Sequence, residues 1–189
     1  MTISWRIQFR ERGPIIDPIE KVYDWRLAET PDPGWRLEIC AVYEYWRSLR
    51  AVDAAGERLL PARKQWDVLD VARYMPDIRF FDVARWDRPP YWRYRCRLVG
   101  TNQVDALGFD PTGRWLDEAE PWTWSDQRFL ARQEAMMKSR SPTWRRGEIV
   151  FERSRDKGML ECLQLPFAND GVSCIGGLSQ SIDLACHIA

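Results

Sequence analysis

The carboxylates Asp117 and Glu118 stand side by side after a glycine-containing turn, and two acids at one site could serve as general acid and general base. Adjacent residues of an extended segment point away from each other, so these two do not form such a pair. We expect Asp110 and Asp117 to cap turns or to form ion pairs instead. The candidate cationic partners are nearby arginines: Arg93, Arg95, Arg97 and Arg114. The sequence therefore predicts no catalytic carboxylate.

The histidine and the cysteines could support nucleophilic or metal chemistry. The single histidine, His187, lies close to the C-terminal end, where we expect a frayed chain, so no Ser–His or Cys–His pair is predicted. The five cysteines are dispersed and include no CxxC pair, which predicts neither a disulfide framework nor a metal site. On predicted strands we expect them to act as small buried hydrophobes. The cysteines are Cys40, Cys96, Cys162, Cys174 and Cys186.

The stretch YRCRLVGTNQVDALGFDPTGRWLDE, residues 94–118, contains glycines that could hold a nucleotide. It has neither GxGxxG nor the GK[ST] of a phosphate loop, so no nucleotide site is predicted. We predict a strand that stops at Gly100, a short helix over 102–107, and Gly108 as its C-terminal cap. The next segment predicts a tight turn in which Gly113 takes a positive φ. A helix this short needs tertiary packing against a sheet. The side chains assigned to that packing are Val104, Leu107 and Phe109.

An antiparallel hairpin is predicted just before this stretch. Segments rich in strand-forming residues, at 78–86 and 91–99, flank the Pro89-Pro90 pair. The second segment alternates strictly, which predicts one buried face and one salt-bridged face. The buried face is predicted to carry Tyr94, Cys96 and Leu98, and the opposite face Arg93, Arg95 and Arg97.

Helical spacing and turn residues predict the remaining elements. The predicted helices lie at 35–52, 67–75 and 125–140, and the other predicted strands at 3–9, 143–153, 159–167 and 172–183. The apolar face of the first helix is predicted to hold Leu37, Cys40, Ala41, Tyr43 (or Glu44), Trp46 and Leu49. Because helices and strands are segregated along the chain, an α+β fold with an antiparallel sheet is expected.

Composition narrows the class of protein. The chain has 189 residues, 45% of them hydrophobic, and 28 basic residues balance 28 acidic ones. A net charge of zero gives no reason to expect nucleic acid or an anionic membrane as a partner. The charged N-terminus does not resemble a secretory signal, and no apolar run is long enough to span a bilayer. We therefore expect a cytoplasmic protein that does not contact a membrane.

These motifs together resemble a bacterial family of small, often standalone PAS-domain proteins. The similar segments are YWRSLR (45–50), LPAR (60–63), RLVGT (97–101), GFDPTGRWLDE (108–118), LQLPFANDG and GGLSQSID, and the resemblance covers about residues 40 to 183. It implies a five-stranded antiparallel sheet in the order 2-1-5-4-3, with helices on one face. The prolines at 14, 18, 31 and 33 mark residues 1–35 as an N-terminal extension. Flanking helices are expected at 36–76 and the PAS-like core at 77–185.

The resemblance implies a non-catalytic sensory or signalling module that binds a small molecule or a partner protein. A haem-binding PAS domain would need a histidine on its long helix, and 125–140 has none. A flavin photo-adduct needs a cysteine in an NCRFLQ-like motif, where this chain has TNQVDALG. Haem and adduct-forming flavin are therefore disfavoured, the cofactor is left open, and colourless protein is expected.

A ligand in such a domain lies between the sheet and its helices, and the pocket candidates are the apolar residues expected there. They are Tyr94, Cys96, Leu98, Val104, Leu107, Phe129, Met136, Leu163 and Leu165. Gly100, Gly108 and Gly113 are assigned structural roles in turns. Two other functions stay open: a purely structural homodimerisation module, and a small pocket hydrolase or isomerase.

Self-association is predicted from the aromatic residues of the N-terminal region. The first fifty residues carry Trp5, Trp25, Trp35, Tyr43, Tyr45 and Trp46. An amphipathic helix with so much aromatic area either covers the open face of the sheet or pairs with a second copy. PAS domains commonly dimerise through a flanking helix, and we therefore expect a homodimer.

Overall fold

The fold is taken from a computed structural model. The residues it describes are 24–56, 59–85, 87, 92–119, 132, 134–136, 138–150, 157–168 and 178–188. The predicted strand at 3–9 and the first part of the predicted helix at 125–140, including Phe129, lie outside these residues.

One antiparallel sheet of six strands organises the described part of the chain. The strands are β1 (Asp24–Leu27), β2 (Ile78–Arg85), β3 (Trp92–Val99), β4 (Thr143–Val150), β5 (Lys157–Ala168) and β6 (Leu178–Ile188). The helices are α1 (Leu37–Ser48), α2 (Thr101–Leu107) and α3 (Leu116–Ala119). The described residues between 132 and 139 are also helical, and we call them the 132–139 helix. No helix among the described residues is long and apolar enough to cross a membrane.

The strand order follows the resemblance for five strands and departs from it in the sixth. The sheet runs β1-β4-β5-β6-β2-β3. When β2 to β6 are renumbered one to five, this gives the order 2-1-5-4-3. The expected count of five is wrong, however, because β1 pairs with β4 over residues 24–27 and 143–146. The segment assigned to an N-terminal extension therefore contributes a strand to the edge of the sheet.

The hairpin formed by β2 and β3 is present, but a bulge changes which residues share a face. Cys96 pairs with Phe81, whereas Leu98 pairs with Phe80, so Arg97 is the extra residue of β3. Phe80 and Phe81 belong to separate core clusters. The bulge therefore turns Leu98 away from Cys96, and Leu98 is 38% exposed. Tyr94 and Cys96 are buried as predicted, and the prediction for Leu98 is wrong.

Strand β5 is buried on both faces, because α1 covers the face of the sheet opposite Cys96. Leu163, Leu165 and Phe167 pack in the large core cluster with α1. Leu160 and Cys162 form a separate cluster, as expected for residues that alternate along a strand. The sheet thus has helical segments on both faces, whereas the resemblance implied helices on one face only.

Helix α1 buries the predicted face except at its first residue, since Cys40, Ala41 and Leu49 are partly buried against the core. Ile39, Val42, Tyr43 and Trp46 are buried, at the spacing expected of one helical face. Leu37 was predicted to lie on the buried face of α1 but is 84% exposed. The error arises because Leu37 is the first helical residue, where the chain is still entering the helix from the extended Arg36.

The aromatic residues predicted to drive self-association are largely buried within their own chain. Trp35, Tyr43 and Trp46 belong to the core cluster, and Tyr45 packs edge-on against Trp66 with centroids 4.9 Å apart. Trp35, Tyr43 and Trp46 are therefore not available to a second copy, and Tyr45 is half-buried. Trp5 and the side chain of Trp25 lie outside the described part of the chain. The homodimer stays a prediction, without the surface first assigned to it.

Two further elements differ from prediction. The helix expected at 67–75 is replaced by a turn and a 3₁₀ segment at Ala72–Asp77. Its first amide donors are used in a side-chain turn, in which Leu69 N donates to Asp67 Oδ1 at 2.8 Å, and Pro76 cannot donate at all. His187 lies in β6, where it pairs with Leu160, and the expectation of a frayed end there is wrong.

The two turn glycines after β3 have the predicted backbone conformation. Gly108 caps α2 with φ of 78°, and Gly113 has φ of 83°. A Cβ atom at Gly113 would meet nothing within 4 Å. Gly113→Ala should therefore destabilise the protein only through backbone strain, by about 1 kcal/mol. Chemical denaturation measures this; an unchanged midpoint would contradict the turn conformation.

Candidate functional site

The site is built on the sheet face opposite α1, which we call the inner face. Phe81 of β2, with Tyr94 and Cys96 of β3, forms a buried cluster there, joined by Leu116 from α3. β2 supplies Phe81 and β3 supplies Tyr94 and Cys96 because residues two apart on a strand share a face. The cluster therefore lies where two strands and a short helix meet.

The phenyl ring of Phe81 is the centre of this cluster. The Tyr94 ring meets it edge-on, with centroids 6.3 Å apart and planes at 90°. On the same strand as Phe81, the guanidinium carbon of Arg79 lies 5.7 Å from the Phe81 centroid. Arg79 is only 5% exposed, so this cation–π contact is made largely out of solvent.

The 132–139 helix brings a second arginine to the inner face. Arg132 is 4% exposed and Met136, one turn later on the same helical face, is 0% exposed. Burial raises the pKa of the Tyr94 hydroxyl well above its ordinary range, and the positive charge of Arg132 opposes part of that rise. Tyr94 is therefore a neutral hydrogen-bonding group that lies within the electrostatic reach of Arg132.

Polar groups continue across the inner face on β4 and β5. Gln164 of β5 is fully buried and is the register partner of Thr143. The hydroxyl of Thr143 is buried and has no hydrogen-bond partner among the described residues. Next along the strands, Arg145 pairs with Cys162. An interior face of this kind can hydrogen-bond a polar ligand.

The segment after β3 closes one edge of the site. Cys96 donates its backbone N–H to the Arg114 carbonyl at 2.9 Å, and its own carbonyl accepts the Gly113 N–H at 2.7 Å. Arg93 forms an ion pair with Glu118 at 2.6 Å, and Arg97 with Asp82 at 3.3 Å. Arg93 and Arg97 therefore form ion pairs, as predicted, although the bulge interrupts the alternation between them.

Hydrogen bonds in the turn and at the start of α2 hold this segment after β3 in place. Asp110 Oδ1 accepts the Thr112 N–H at 2.9 Å, which confirms its predicted role as a turn cap. At the start of α2, Asn102 donates to the Asp77 carboxylate at 2.9 Å. Gln103 donates to the Asp77 backbone carbonyl at 3.2 Å. The short helix is thus held by tertiary contacts, as its length requires.

The structure brings together only some of the predicted pocket residues. Tyr94 and Cys96 lie in one cluster, and Met136 is buried on the helix that carries Arg132. Leu163 and Leu165 lie under α1 on the other face, and Leu98 is turned away by the bulge. Val104 is half-buried on α2. The Leu107 side chain and Phe129 lie outside the described part.

Sequence reasoning missed the charged and polar members of the site. Arg79 lies between the apolar residues Ile78 and Phe80 of β2, and residues 78–81 are all buried. Its position among apolar residues was the signal that could have indicated a buried arginine. Arg132 lies four residues before Met136 in the predicted helix. That spacing placed both residues on one face. No group of histidine, cysteine and carboxylate residues suited to a metal ion occurs in the described residues.

Comparisons with known proteins give little. No family model matches the chain, and no curated protein matches it significantly. Among solved structures, the chain is similar to one described as an RNA-binding Light-Oxygen-Voltage receptor, with 10% sequence identity and a TM-score of 0.45. The alignment covers 88% of this chain and 39% of that one, so the chain spans well under half the length of the receptor chain. At this level of similarity, the strand pairing and packing of this chain itself define its fold.

Proposed function

We propose that the chain is a non-catalytic, PAS-like sensory module that binds a small organic acid between the inner face of the sheet and the 132–139 helix. The sheet supports a PAS-like core because five of its strands follow the order 2-1-5-4-3. The position proposed for the ligand is the one that the resemblance implies. The chemical class of the ligand comes from the side chains at that position.

Burial of two arginines is the observation that carries this proposal. Arg79 and Arg132 are each about nineteen-twentieths removed from solvent, at 5% and 4% exposure. Arginine is seldom found in a protein interior, so two buried arginines give this face of the sheet an unusually polar and cationic character. A guanidinium group presents its donors in a fork that matches a carboxylate. An acid is therefore the ligand class that suits the charge of this interior.

The surrounding side chains favour an acid with a flat apolar body. Phe81 and Tyr94 offer ring surfaces beside the two arginines. Met136 adds a flexible apolar side chain that can adapt to a ligand. Polar ends and apolar walls in one buried site are the usual composition of small-molecule pockets.

The proposed output is contact with a partner protein in the cytoplasm. Binding that shifts the position of β5 would act on both faces of the sheet, since Cys162 and Gln164 alternate along this strand with Leu163 and Leu165. The helix α1 packs on the second face. A ligand-dependent change there would alter the surface that a partner meets.

Ligand class can be tested with benzoate and its uncharged analogue benzamide. We expect benzoate to raise the melting temperature of the full-length protein, because a ligand that binds only the folded state stabilises it. Arg132→Gln should reduce benzoate affinity at least about tenfold, since it removes a charge-assisted hydrogen-bond donor. Isothermal titration calorimetry measures both affinities.

The matched control is Arg114→Gln, which removes an exposed arginine outside the inner face. This variant should bind benzoate as the unaltered protein does. Equal binding of benzamide and benzoate would contradict an acid-specific site. So would an Arg132→Gln variant that folds normally and keeps full affinity.

A further inference from the structure

A buried carboxylate lies on the face that α1 covers, away from the inner face. Glu161 of β5 is 0% exposed. Its Oε1 atom accepts hydrogen bonds from Trp144 Nε1 at 2.9 Å and from the Arg36 backbone N–H at 3.3 Å. Its Oε2 atom is buried and has no hydrogen-bond partner among the described residues. A carboxylate oxygen in this position is costly unless a donor reaches it.

Aromatic rings and a second unpartnered polar atom belong to the same region. Trp35 stacks on Trp144 with centroids 6.1 Å apart, and meets Tyr43 edge-on at 5.4 Å. Trp35 is 5% exposed, and its Nε1 atom is also buried without a hydrogen-bond partner in the part of the chain that the structure describes. One acceptor, one donor and several aromatic faces therefore lie around Trp144.

A positively charged side chain already contacts the Trp144 ring at the edge of this region. The guanidinium carbon of Arg26 lies 5.1 Å from the centroid of the Trp144 ring. Arg146, which is the register partner of Glu161 on β4, has an exposed side chain. No ion pair to Glu161 is found among the described residues. The carboxylate therefore has aromatic neighbours that suit a cation but no cation of its own.

We propose that Glu161, Trp35 and Trp144 form a second binding site, for a small organic ammonium ion that also carries a hydroxyl or carbonyl oxygen. The ammonium group donates to Glu161 Oε2 and lies against the indole rings, since a carboxylate and aromatic faces both attract positive charge. The ligand oxygen accepts the hydrogen of Trp35 Nε1. Cys40 is half-buried and lies beside the site, since its Sγ atom is 4.0 Å from the Trp35 carbonyl oxygen. This site lies on the opposite face from the proposed acid site and does not depend on it.

Calorimetry with ethanolamine tests this site, since ethanolamine carries both the cation and the hydroxyl. The full-length protein should bind ethanolamine saturably, ethylamine more weakly and ethylene glycol not at all. Glu161→Gln should weaken ethanolamine binding at least about tenfold, because the hydrogen bond to a charged acceptor is lost. Trp35→Phe keeps an aromatic ring but removes the N–H, and should reduce ethanolamine affinity to that of ethylamine.

Glu44→Gln is the matched control, since Glu44 is exposed on α1 and pairs with Arg47 at 2.8 Å. Its affinity for ethanolamine should be unchanged. Alkylation of Cys40, followed by peptide mapping, locates the ligand: saturating ethanolamine should slow it in the unaltered protein and not in Glu161→Gln. Absence of ethanolamine binding, or equal affinity of Glu161→Gln and the unaltered protein, would overturn the proposal.

Discussion

Replacing Gly100 with alanine is expected to destabilise the protein by about 3 kcal/mol, more than the substitution Gly113→Ala. A Cβ atom at this position would lie 2.2 Å from the Met75 carbonyl oxygen and 2.3 Å from that of Pro76. Both contacts are with backbone, which cannot move aside as a side chain can. Gly100 is itself fixed, since its N–H donates to Ile78 at 2.8 Å and its carbonyl accepts from Val104 at 3.0 Å.

The backbone angles separate this effect from ordinary glycine strain. Gly100 has φ of −67° and ψ of 155°, which alanine adopts freely. Gly113 has the reverse combination, with positive φ and open space around it. Gly113→Ala is therefore the control that reports strain without contact. Equal denaturation midpoints for the two variants would mean that the 75–76 segment does not approach Gly100.

Replacing Trp46 with alanine is expected to cost about 3–5 kcal/mol, because it empties a large volume in the core under α1. Trp46 is 0% exposed. Its Nε1 atom donates to the Pro166 carbonyl at 2.9 Å in a buried hydrogen bond. The substitution removes both the apolar contact and that donor. Chemical denaturation of the full-length protein measures the loss.

A matched substitution on the same helix tests the orientation of α1. Leu37 is almost fully solvent-exposed, so Leu37→Ala should change stability by no more than about 0.5 kcal/mol. If Leu37 were on the buried face, as predicted, Leu37→Ala would also be costly, by about 2–5 kcal/mol. Comparable losses for the two variants would show that α1 does not pack on the sheet as described.

The elements that could be predicted are those whose residues alternate or repeat on one face. Strands β2 and β3 and helix α2 begin within a residue or two of the predicted positions. Their boundaries could be predicted because the Pro89-Pro90 pair separates the two strands, Gly100 separates β3 from α2, and Gly108 ends α2. The faces were harder to predict. A bulge at Arg97 leaves no mark in an alternating sequence, so Leu98 was assigned to the wrong face.

The site was predicted less well than the fold, for two physical reasons. Strand β5 is covered on both sides and carries apolar residues on both faces, so its sequence could not show that Leu163 and Leu165 lie on the face opposite Cys162. Arginines are expected at the surface, so Arg79 and Arg132 were not considered for the interior. Burial of these charges depends on what covers the sheet, which is a property of the tertiary structure.

Native mass spectrometry of freshly purified full-length protein tests the proposed acid site most directly. We expect a complex heavier than the polypeptide, which releases a small organic acid on denaturation. The Arg79→Gln/Arg132→Gln double variant should lose that ligand, while Arg114→Gln should retain it. A bound molecule that is neutral or cationic, or an acid that the double variant retains in full, would contradict an acid site at Arg79 and Arg132.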